Sequence, residues 1–191
     1  MTSRIEPVSE ETATEEWVVD LLEEAREGWY GDSAFFGAMA HQPELCRGLV
    51  DVLGQFPQSE SLSPELLELV RLKVADAHRC AYCATVRTRA VEDDVAPKEE
   101  AVFGDVDTER LDERERQAVE LAELLSGDPH RLTDDRFDSL RETFGESAVV
   151  ELLLFVSLEV ALDRFCIALT LDTTDESPYP TGLSYPFEGA E

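Results

Sequence analysis

Apolar residues recur every three to four positions in several segments of the chain, which is the period of an amphipathic α-helix. The clearest of these segments is 63–78, because Ser63 is a favourable helix cap and Pro64 suits the first helical position. Its apolar face consists of Leu66, Leu69, Val70 and Val74. The segment therefore predicts a helix that begins at Pro64 and buries one face.

Cap residues mark the starts of further helices. Thr12 and Glu15 have the spacing of a capping box, as do Asp112 and Glu115, and we expect a helix after each pair. The last helix, predicted over 146–171, is the longest and is apolar on nearly every face. Such a helix is expected to be buried, either within the chain or against another subunit.

No segment alternates apolar and polar residues with the period of a β-strand. The sequence therefore predicts an all-α fold of about seven to nine helices. We expect a flexible N-terminus over 1–13, a helical domain over 14–171 and an irregular C-terminal tail over 172–191. The tail contains three aromatic residues that are expected to dock on the body or on a neighbouring subunit, namely Tyr179, Tyr185 and Phe187.

The charge of the chain is strongly negative. It has 43 acidic residues against 16 Lys and Arg, a formal net charge of −27, and its only lysines are Lys73 and Lys98. Such an excess repels itself unless salt screens it, so the composition favours a protein of a highly saline cytoplasm, with an ordinary acidic protein as the alternative. Repulsion from phosphates argues against nucleic acid as a partner.

Neither a secretory signal nor a membrane span is expected. The N-terminus is acidic and lacks a basic start followed by an apolar stretch. The most apolar run, 149–169, is interrupted by Glu151, Glu159, Asp163 and Arg164. These features predict a cytoplasmic protein that does not interact with a membrane.

The motif Cys80-Ala-Tyr-Cys83 offers the most specific chemistry. Two cysteines at this spacing can form a disulfide, hold a metal, or act as a nucleophile and a resolving thiol. Residues 71–91 contain five basic side chains and one acid, and positive charge stabilises the reactive thiolate. The redox interpretation is therefore favoured, whereas the other two cysteines, Cys46 and Cys166, are interpreted as small buried hydrophobic residues.

The helix of 63–78 is expected to break at His78 and Arg79, and a second helix to run from Cys80 to about Val91. In that helix Cys83 and Arg87 are four residues apart and would lie on one face. By physical argument alone Cys80 is the better nucleophile, because a helix N-terminus lowers the pKa of a thiol.

The run from Glu68 to Val91 resembles the carboxymuconolactone decarboxylase and AhpD-like alkylhydroperoxidase superfamily, as a salt-adapted member. The redox pattern of that superfamily is a glutamate, eleven residues, Cys-x-x-Cys, three residues and a histidine. Glu68, Cys80 and Cys83 match it in register, and Arg87 stands at the histidine position. Similar blocks begin at Met39, Leu111, Asp128 and Glu146, so the resemblance covers roughly residues 15–171.

The resemblance implies an AhpD-like helical domain that assembles into homodimers, trimers or hexamers. It implies reduction of a small-molecule peroxide with a dithiol reductant, without a metal or an organic cofactor. In that activity Cys83 attacks the peroxide, Cys80 resolves the product and Glu68 takes part in proton relay. Arg87 cannot act as a base, so it either stabilises the thiolate by charge or indicates that peroxidase activity has been lost. His78 is a substitute candidate for the proton relay.

Three alternatives remain open from the sequence. One is a decarboxylase-like enzyme that acts on a small carboxylated lactone, as in members of the superfamily that lack the cysteine pair. A second is a non-catalytic redox switch, which would oxidise once rather than cycle. A metal site of His78, Cys80 and Cys83 is disfavoured because a structural zinc site takes about four ligands.

Overall fold

The computed structural model describes residues 3–107 and 109–185, and within these ranges it contains α-helices and no β-strand. The helices are α1 (Glu16–Glu24), α2 (Ala34–Met39), α3 (Pro43–Leu53), α4 (Pro64–His78), α5 (Ala81–Thr85), α6 (Glu92–Val95), α7 (Glu113–Gly127), α8 (Asp134–Phe144) and α9 (Glu146–Leu169). Short 3₁₀ turns and one π turn, Ala25–Trp29, connect several of them. The predicted all-α fold and the expected number of helices are confirmed.

The chain forms two compact units. The first unit comprises residues 1–54, 80–92 and 164–191, and the second comprises 55–79 and 93–163. The cysteine motif lies in the first unit, whereas Glu68 and His78 lie in the second. The predicted division into an N-terminus, a domain and a tail stays a prediction.

The core of the second unit is built on α4 and α7, which pack along their length. Both helices present small or branched aliphatic side chains at helical spacing, and the first part of α9 adds more. The fully buried members are Val70, Val74, Ala118, Leu121, Ala122, Leu152 and Val156. Burial of these side chains fixes α4, the helix that holds Glu68, Arg71 and His78.

The three predicted helices begin close to their predicted caps, but only two of the three caps form. Ser63 caps α4 by accepting a hydrogen bond from the Leu66 N–H, and Asp112 forms the expected capping box with α7. The Thr12 and Glu15 box does not form, because the Thr12 hydroxyl accepts from the Ser9 N–H in a local turn. Helix α1 consequently begins at Glu16, without a side-chain cap.

The break between α4 and α5 lies where the sequence predicted it. Arg79 adopts the left-handed conformation, with φ at 53°, and its N–H bonds to the carbonyls of Ala75 and Asp76. Cys80 is then extended and serves as the N-cap of α5. A left-handed residue thus ends one helix and places the first cysteine at the start of the next.

The predicted extent of the second helix, to about Val91, is wrong. Helix α5 ends at Thr85, and Val86 is extended, with φ at −72° and ψ at 153°. The β-branched Thr85, Val86 and Thr88 favour this conformation over a helical one. Arg87 therefore does not share a helical face with Cys83, and the geometric argument for its role at the thiolate is wrong.

The C-terminal segment lies against the first unit as far as residue 185. The Tyr179 hydroxyl accepts a hydrogen bond from the Arg87 N–H at 3.2 Å, and Tyr185 is buried. The predicted docking of these two aromatic residues on the body is confirmed. Phe187 lies outside the described residues.

Among the described residues, none of the helices is both long enough and apolar enough to cross a membrane.

Candidate active site

Cys80 and Cys83 form a disulfide at the start of α5, with their Cα atoms 5.3 Å apart. The Cys80 sulfur also accepts a hydrogen bond from the Cys83 N–H at 3.3 Å, in the manner of a helix cap. Both residues are buried, Cys80 with 1% of its surface exposed and Cys83 with 8%. The short helix thus places the two sulfurs where they can bond, with Cys83 the more accessible of the two.

A third cysteine joins this pair. The sulfur atoms of Cys80, Cys83 and Cys166 all lie within 4.8 Å of one another, and Cys166 on α9 is 2% exposed. The sequence interpretation of Cys166 as a buried residue is right, but it missed the neighbouring sulfurs. When the disulfide is reduced, the group offers three sulfur ligands, one fewer than the four ligands of a structural zinc site.

Tyr82, between the two cysteines, belongs to a buried hydrogen-bond network. Its hydroxyl donates to Asp32 Oδ1 at 2.8 Å and accepts from the Phe35 N–H at 3.3 Å. Burial, followed by the nearby Asp32 carboxylate, raises the pKa of Tyr82 well above its ordinary value. The phenol therefore stays protonated and anchors α5 to the segment that begins α2.

Asp32 is fully buried and both of its oxygens are satisfied. Besides Tyr82, the Ala34 N–H donates to Oδ1 at 3.0 Å, and the Thr174 N–H and hydroxyl both donate to Oδ2 at 2.8 Å. One carboxylate therefore ties the start of α2, helix α5 and the C-terminal segment together. This role is architectural, because every acceptor position in the network is used.

Glu68, in the second unit, is buried rather than solvent-facing. Its side chain pairs with Arg71 through two parallel hydrogen bonds, from Nε to Oε2 at 2.7 Å and from a terminal nitrogen to Oε1 at 2.6 Å. Only 1% of the Glu68 side chain and 5% of the Arg71 side chain are exposed. Removing either partner of such a buried bidentate pair leaves the other charge buried and uncompensated, which strongly destabilises the folded protein.

Two more acids lie in the same unit, on α9. Glu159 is buried, and desolvation raises its pKa to about 8 despite the opposing charge of Arg71, with Asp163 and Glu68 raising it further. Burial also raises the pKa of Asp163, which His78 and Arg71 partly offset. Glu159 is consequently a carboxylic acid that holds its proton at neutral pH.

His78 lies beside one of these acids. Its Nδ1 is 3.3 Å from Asp163 Oδ2, close enough for an ion pair but without hydrogen-bond alignment. Within the described residues neither ring nitrogen of His78 has a hydrogen-bond partner. We call the five side chains of Glu68, Arg71, His78, Glu159 and Asp163 the α4–α9 cluster. Its three carboxyl groups and its imidazole are able to transfer protons, whereas the guanidinium of Arg71 holds Glu68 in place.

Three of the basic side chains of segment 71–91 have hydrogen-bond acceptors or acids close to them in sequence or in the fold. Arg71 pairs with Glu68, and the buried Lys73 Nζ donates to the Gly104 carbonyl at 2.6 Å and lies 3.2 Å from Asp76. The Arg87 guanidinium donates to the carbonyls at the end of α5, those of Ala84, Thr85 and Val86. Much of this positive charge is therefore matched by local acceptors.

Sequence reasoning missed four buried residues, Asp32, Glu159, Asp163 and Cys166. The two acids on α9 interrupt the most apolar run of the chain, which was a usable signal: a charge within an apolar helix is costly and usually has a function. Nothing in the sequence marked Asp32 or Cys166, because their partners are brought together only by the fold.

No protein-family model matches the sequence, and a search of curated proteins finds no match. Solved structures do match. A cysteine-to-alanine variant of the debrominase Bmp8 in complex with 2,3,4-tribromopyrrole has a TM-score of 0.72 at 18% identity, over 92% of this chain and 94% of that one. An uncharacterized peroxidase-related protein from Silicibacter sp. TM1040 has a TM-score of 0.68 at 16% identity, over 91% and 90% of the two chains.

An alkylhydroperoxidase AhpD core protein from Ralstonia eutropha JMP134, also described as peroxidase-related, has a TM-score of 0.68 at 18% identity. That likeness spans 91% of this chain and 93% of the other. The chain thus has the AhpD-like helical fold, which confirms the structural part of the resemblance stated above.

Proposed function

We propose that this chain is a thiol-dependent peroxidase that reduces hydrogen peroxide or alkyl peroxides through Cys80 and Cys83. The observation that carries the proposal is the buried disulfide at the start of α5, which is the oxidised product that such a cycle must form. The AhpD-like fold, shared with two peroxidase-related proteins, agrees with it.

In the proposed cycle the Cys83 thiolate attacks the O–O bond and takes one oxygen, which yields a sulfenic acid and releases an alcohol or water. The Cys80 thiol then condenses with the sulfenic acid, forming the disulfide and a second molecule of product water. An external dithiol reduces the disulfide by exchange and becomes oxidised itself. No metal or organic cofactor takes part in these steps.

Cys83 is assigned as the attacking residue because it is the more exposed of the pair and because the family pattern assigns the role to the second cysteine. Cys80, at 1% exposed, is then the resolving thiol. This reverses the expectation from helix position alone, in which Cys80 would benefit more from the start of the helix.

The proton steps are proposed for the α4–α9 cluster. Glu68 is at the glutamate position of the family pattern, and its burial against Arg71 holds it in one conformation. His78 and Glu159 extend the same set of groups, one an imidazole and the other a carboxylic acid that is protonated at neutral pH. Arg87 is proposed to favour the thiolate through its charge alone.

We further propose a homo-oligomer in a saline cytoplasm. The net charge of −27 supports salt adaptation, and Val150 and Leu154 support self-association because they lie one turn apart on α9 with more than half of their surfaces exposed. Light scattering after gel filtration in molar potassium chloride measures the assembly directly.

A second candidate is reductive dehalogenation of a small halogenated aromatic ring. It is favoured by the likeness to the debrominase Bmp8, which holds across nine-tenths of both chains. The chemistry uses the same pair: two thiols supply two electrons and become a disulfide, the ring gains a proton, and halide leaves.

The deciding experiment follows peroxide consumption with a dithiol reductant in molar potassium chloride and tracks the redox state of the cysteines by mass spectrometry. Repeated turnover that Cys83→Ser abolishes, and that the buried control Cys46→Ser leaves intact, supports a peroxidase. One equivalent of oxidation without turnover indicates a redox switch. Bromide release from a bromopyrrole without peroxide turnover favours dehalogenation. Turnover of a small carboxylated lactone that survives thiol alkylation favours a lactone decarboxylase.

A further inference from the structure

The third cysteine of the sulfur cluster has no role in a two-cysteine cycle. Cys166 is on α9, more than eighty residues from the motif in sequence, yet its sulfur lies within 4.8 Å of both Cys80 and Cys83 sulfurs. By contrast, Cys46 is buried in the same unit but belongs to no such group within the described residues. The fold therefore selects one of the two remaining cysteines and places it at the redox pair.

We propose that Cys166 is a second resolving thiol of the redox centre, an inference that rests on the proposed thiol chemistry of Cys80 and Cys83. A sulfenic acid on Cys83 has two thiols within reach: condensation with Cys80 gives the observed disulfide, and condensation with Cys166 gives a Cys83–Cys166 disulfide. Each condensation forms one S–S bond and releases one water, and neither needs a further oxidant.

The same arrangement lets the two disulfides interconvert. The Cys166 thiolate attacks the Cys83 sulfur of the Cys80–Cys83 disulfide, and the Cys80 thiolate leaves; the number of disulfides does not change. All three sulfurs are buried, which slows attack by bulky external thiols and favours exchange within the cluster. The consequence is protection: when Cys80 is occupied or missing, Cys166 captures the sulfenic acid before a second peroxide oxidises it irreversibly.

The test uses the full-length protein with Cys80→Ser, which removes the first resolving thiol. Reduced protein, freed of reductant, is treated with one equivalent of hydrogen peroxide in molar potassium chloride, alkylated, digested and mapped by mass spectrometry. We expect a Cys83–Cys166 disulfide as the main product. The matched controls are Cys80→Ser combined with Cys46→Ser, which should behave identically, and Cys80→Ser combined with Cys166→Ser, which should accumulate sulfenic and then sulfinic acid at Cys83.

A second arm separates this proposal from the proposed peroxidase activity. Diamide oxidises neighbouring thiols without any peroxide chemistry, and with Cys80→Ser it should also join Cys83 to Cys166. A Cys83–Cys166 link that forms with diamide but not with peroxide would contradict the proposed peroxidase activity. It would still support Cys166 as a thiol that can bond to Cys83. Failure of both oxidants to link Cys166, or equal linkage to Cys46, would overturn the proposal.

Folding of the variants is checked by helical circular dichroism. If Cys80→Ser does not fold, partial reduction of the wild-type protein gives the same answer, because exchange should yield a minor Cys83–Cys166 disulfide. Its absence from the peptide map would equally overturn the proposal.

Discussion

Both units of the chain bury acidic side chains, but the two units differ in how completely these side chains are hydrogen-bonded. In the first unit Asp32 accepts four hydrogen bonds, from Tyr82, from the Ala34 N–H and from two groups of Thr174. In the second unit, Asp163 Oδ2 and both ring nitrogens of His78 have no hydrogen-bond partner within the described residues.

This difference separates a carboxylate that joins neighbouring segments from buried groups whose hydrogen bonding is incomplete. A buried carboxylate that receives a full set of hydrogen bonds joins the segments that donate to it. Buried groups that lack partners are costly to keep, and they are common where protons must move. Asp32 thus joins segments of the first unit, whereas the incomplete hydrogen bonding of His78 and Asp163 agrees with the proton-transfer role proposed above for the α4–α9 cluster.

The largest expected effect is the loss of stability on removing Asp32. Asp32→Ala leaves several buried donors without an acceptor, and each costs about 1–3 kcal/mol, so we expect the free energy of unfolding to fall by about 4 kcal/mol. Urea unfolding in molar potassium chloride measures it. The exposed acid Asp175 in the same C-terminal segment is the matched control, and Asp175→Ala should change stability by about 0.5 kcal/mol or less. An equal effect of the two variants would refute the structural role.

The next effect is a pH dependence that the second unit introduces. The pKa of Glu159 is raised to about 8 in the folded chain, whereas an unfolded glutamate titrates near 4.3. The folded chain therefore binds the extra proton, and the free energy of unfolding should fall by about 3 kcal/mol as the pH rises from about 5.5 to about 8.5. The raised pKa of Asp163 changes the free energy of unfolding in the same direction.

Glu159→Gln tests this pH dependence, because the amide does not titrate. Urea unfolding from pH 5.5 to 8.5 should show a flatter profile for the variant, and at pH 8 the variant should be the more stable protein. Glu146→Gln, at the exposed start of the same helix, should keep the wild-type slope. A wild-type profile that rises with pH would contradict the assignment of Glu159 as a neutral acid.

A smaller effect is expected at His78, and it should appear in activity rather than stability. His78→Asn removes an imidazole that has no aligned hydrogen bond to lose, so stability should change by about 1 kcal/mol or less. Loss of a proton-transfer group should lower kcat/KM for peroxide about a hundredfold near pH 7. His130→Asn, at an exposed position, is the control; the role fails if His78→Asn leaves turnover unchanged.

The sequence predicted the parts of the fold that local chemistry determines. Ser63 and Pro64 fixed the start of α4, and Asp112 with Glu115 fixed the start of α7, because capping involves residues within one turn. The break at Arg79 was also local. The end of α5 was missed, since the choice between helix and extended backbone at Val86 depends on weak propensities.

Only the residues of the candidate site that stand at fixed spacing in one segment could be predicted from the sequence. Spacing identified Glu68, Cys80 and Cys83, but it could not show that Glu68 is held by Arg71 or that Cys166 lies beside the cysteine pair. Those facts depend on contacts across long sequence separations. The charge pattern likewise could not show that Arg71 and Lys73 pair with Glu68 and Asp76 of their own helix.

The smallest expected effect concerns Arg87. Two substitutions of this residue can separate its hydrogen bonds at the end of α5 from the proposed effect of its charge on the Cys83 thiolate. Its guanidinium donates to three carbonyls at the end of α5, and both Arg87→Lys and Arg87→Gln should lower the free energy of unfolding by about 1 kcal/mol through loss of that geometry. Only Arg87→Gln also removes the charge. It should therefore raise the pH midpoint of Cys83 alkylation by about half a unit, whereas Arg87→Lys should leave it unchanged. Equal midpoints for the two variants would show that Arg87 only ends the helix, and the thiolate of Cys83 would then depend on other groups.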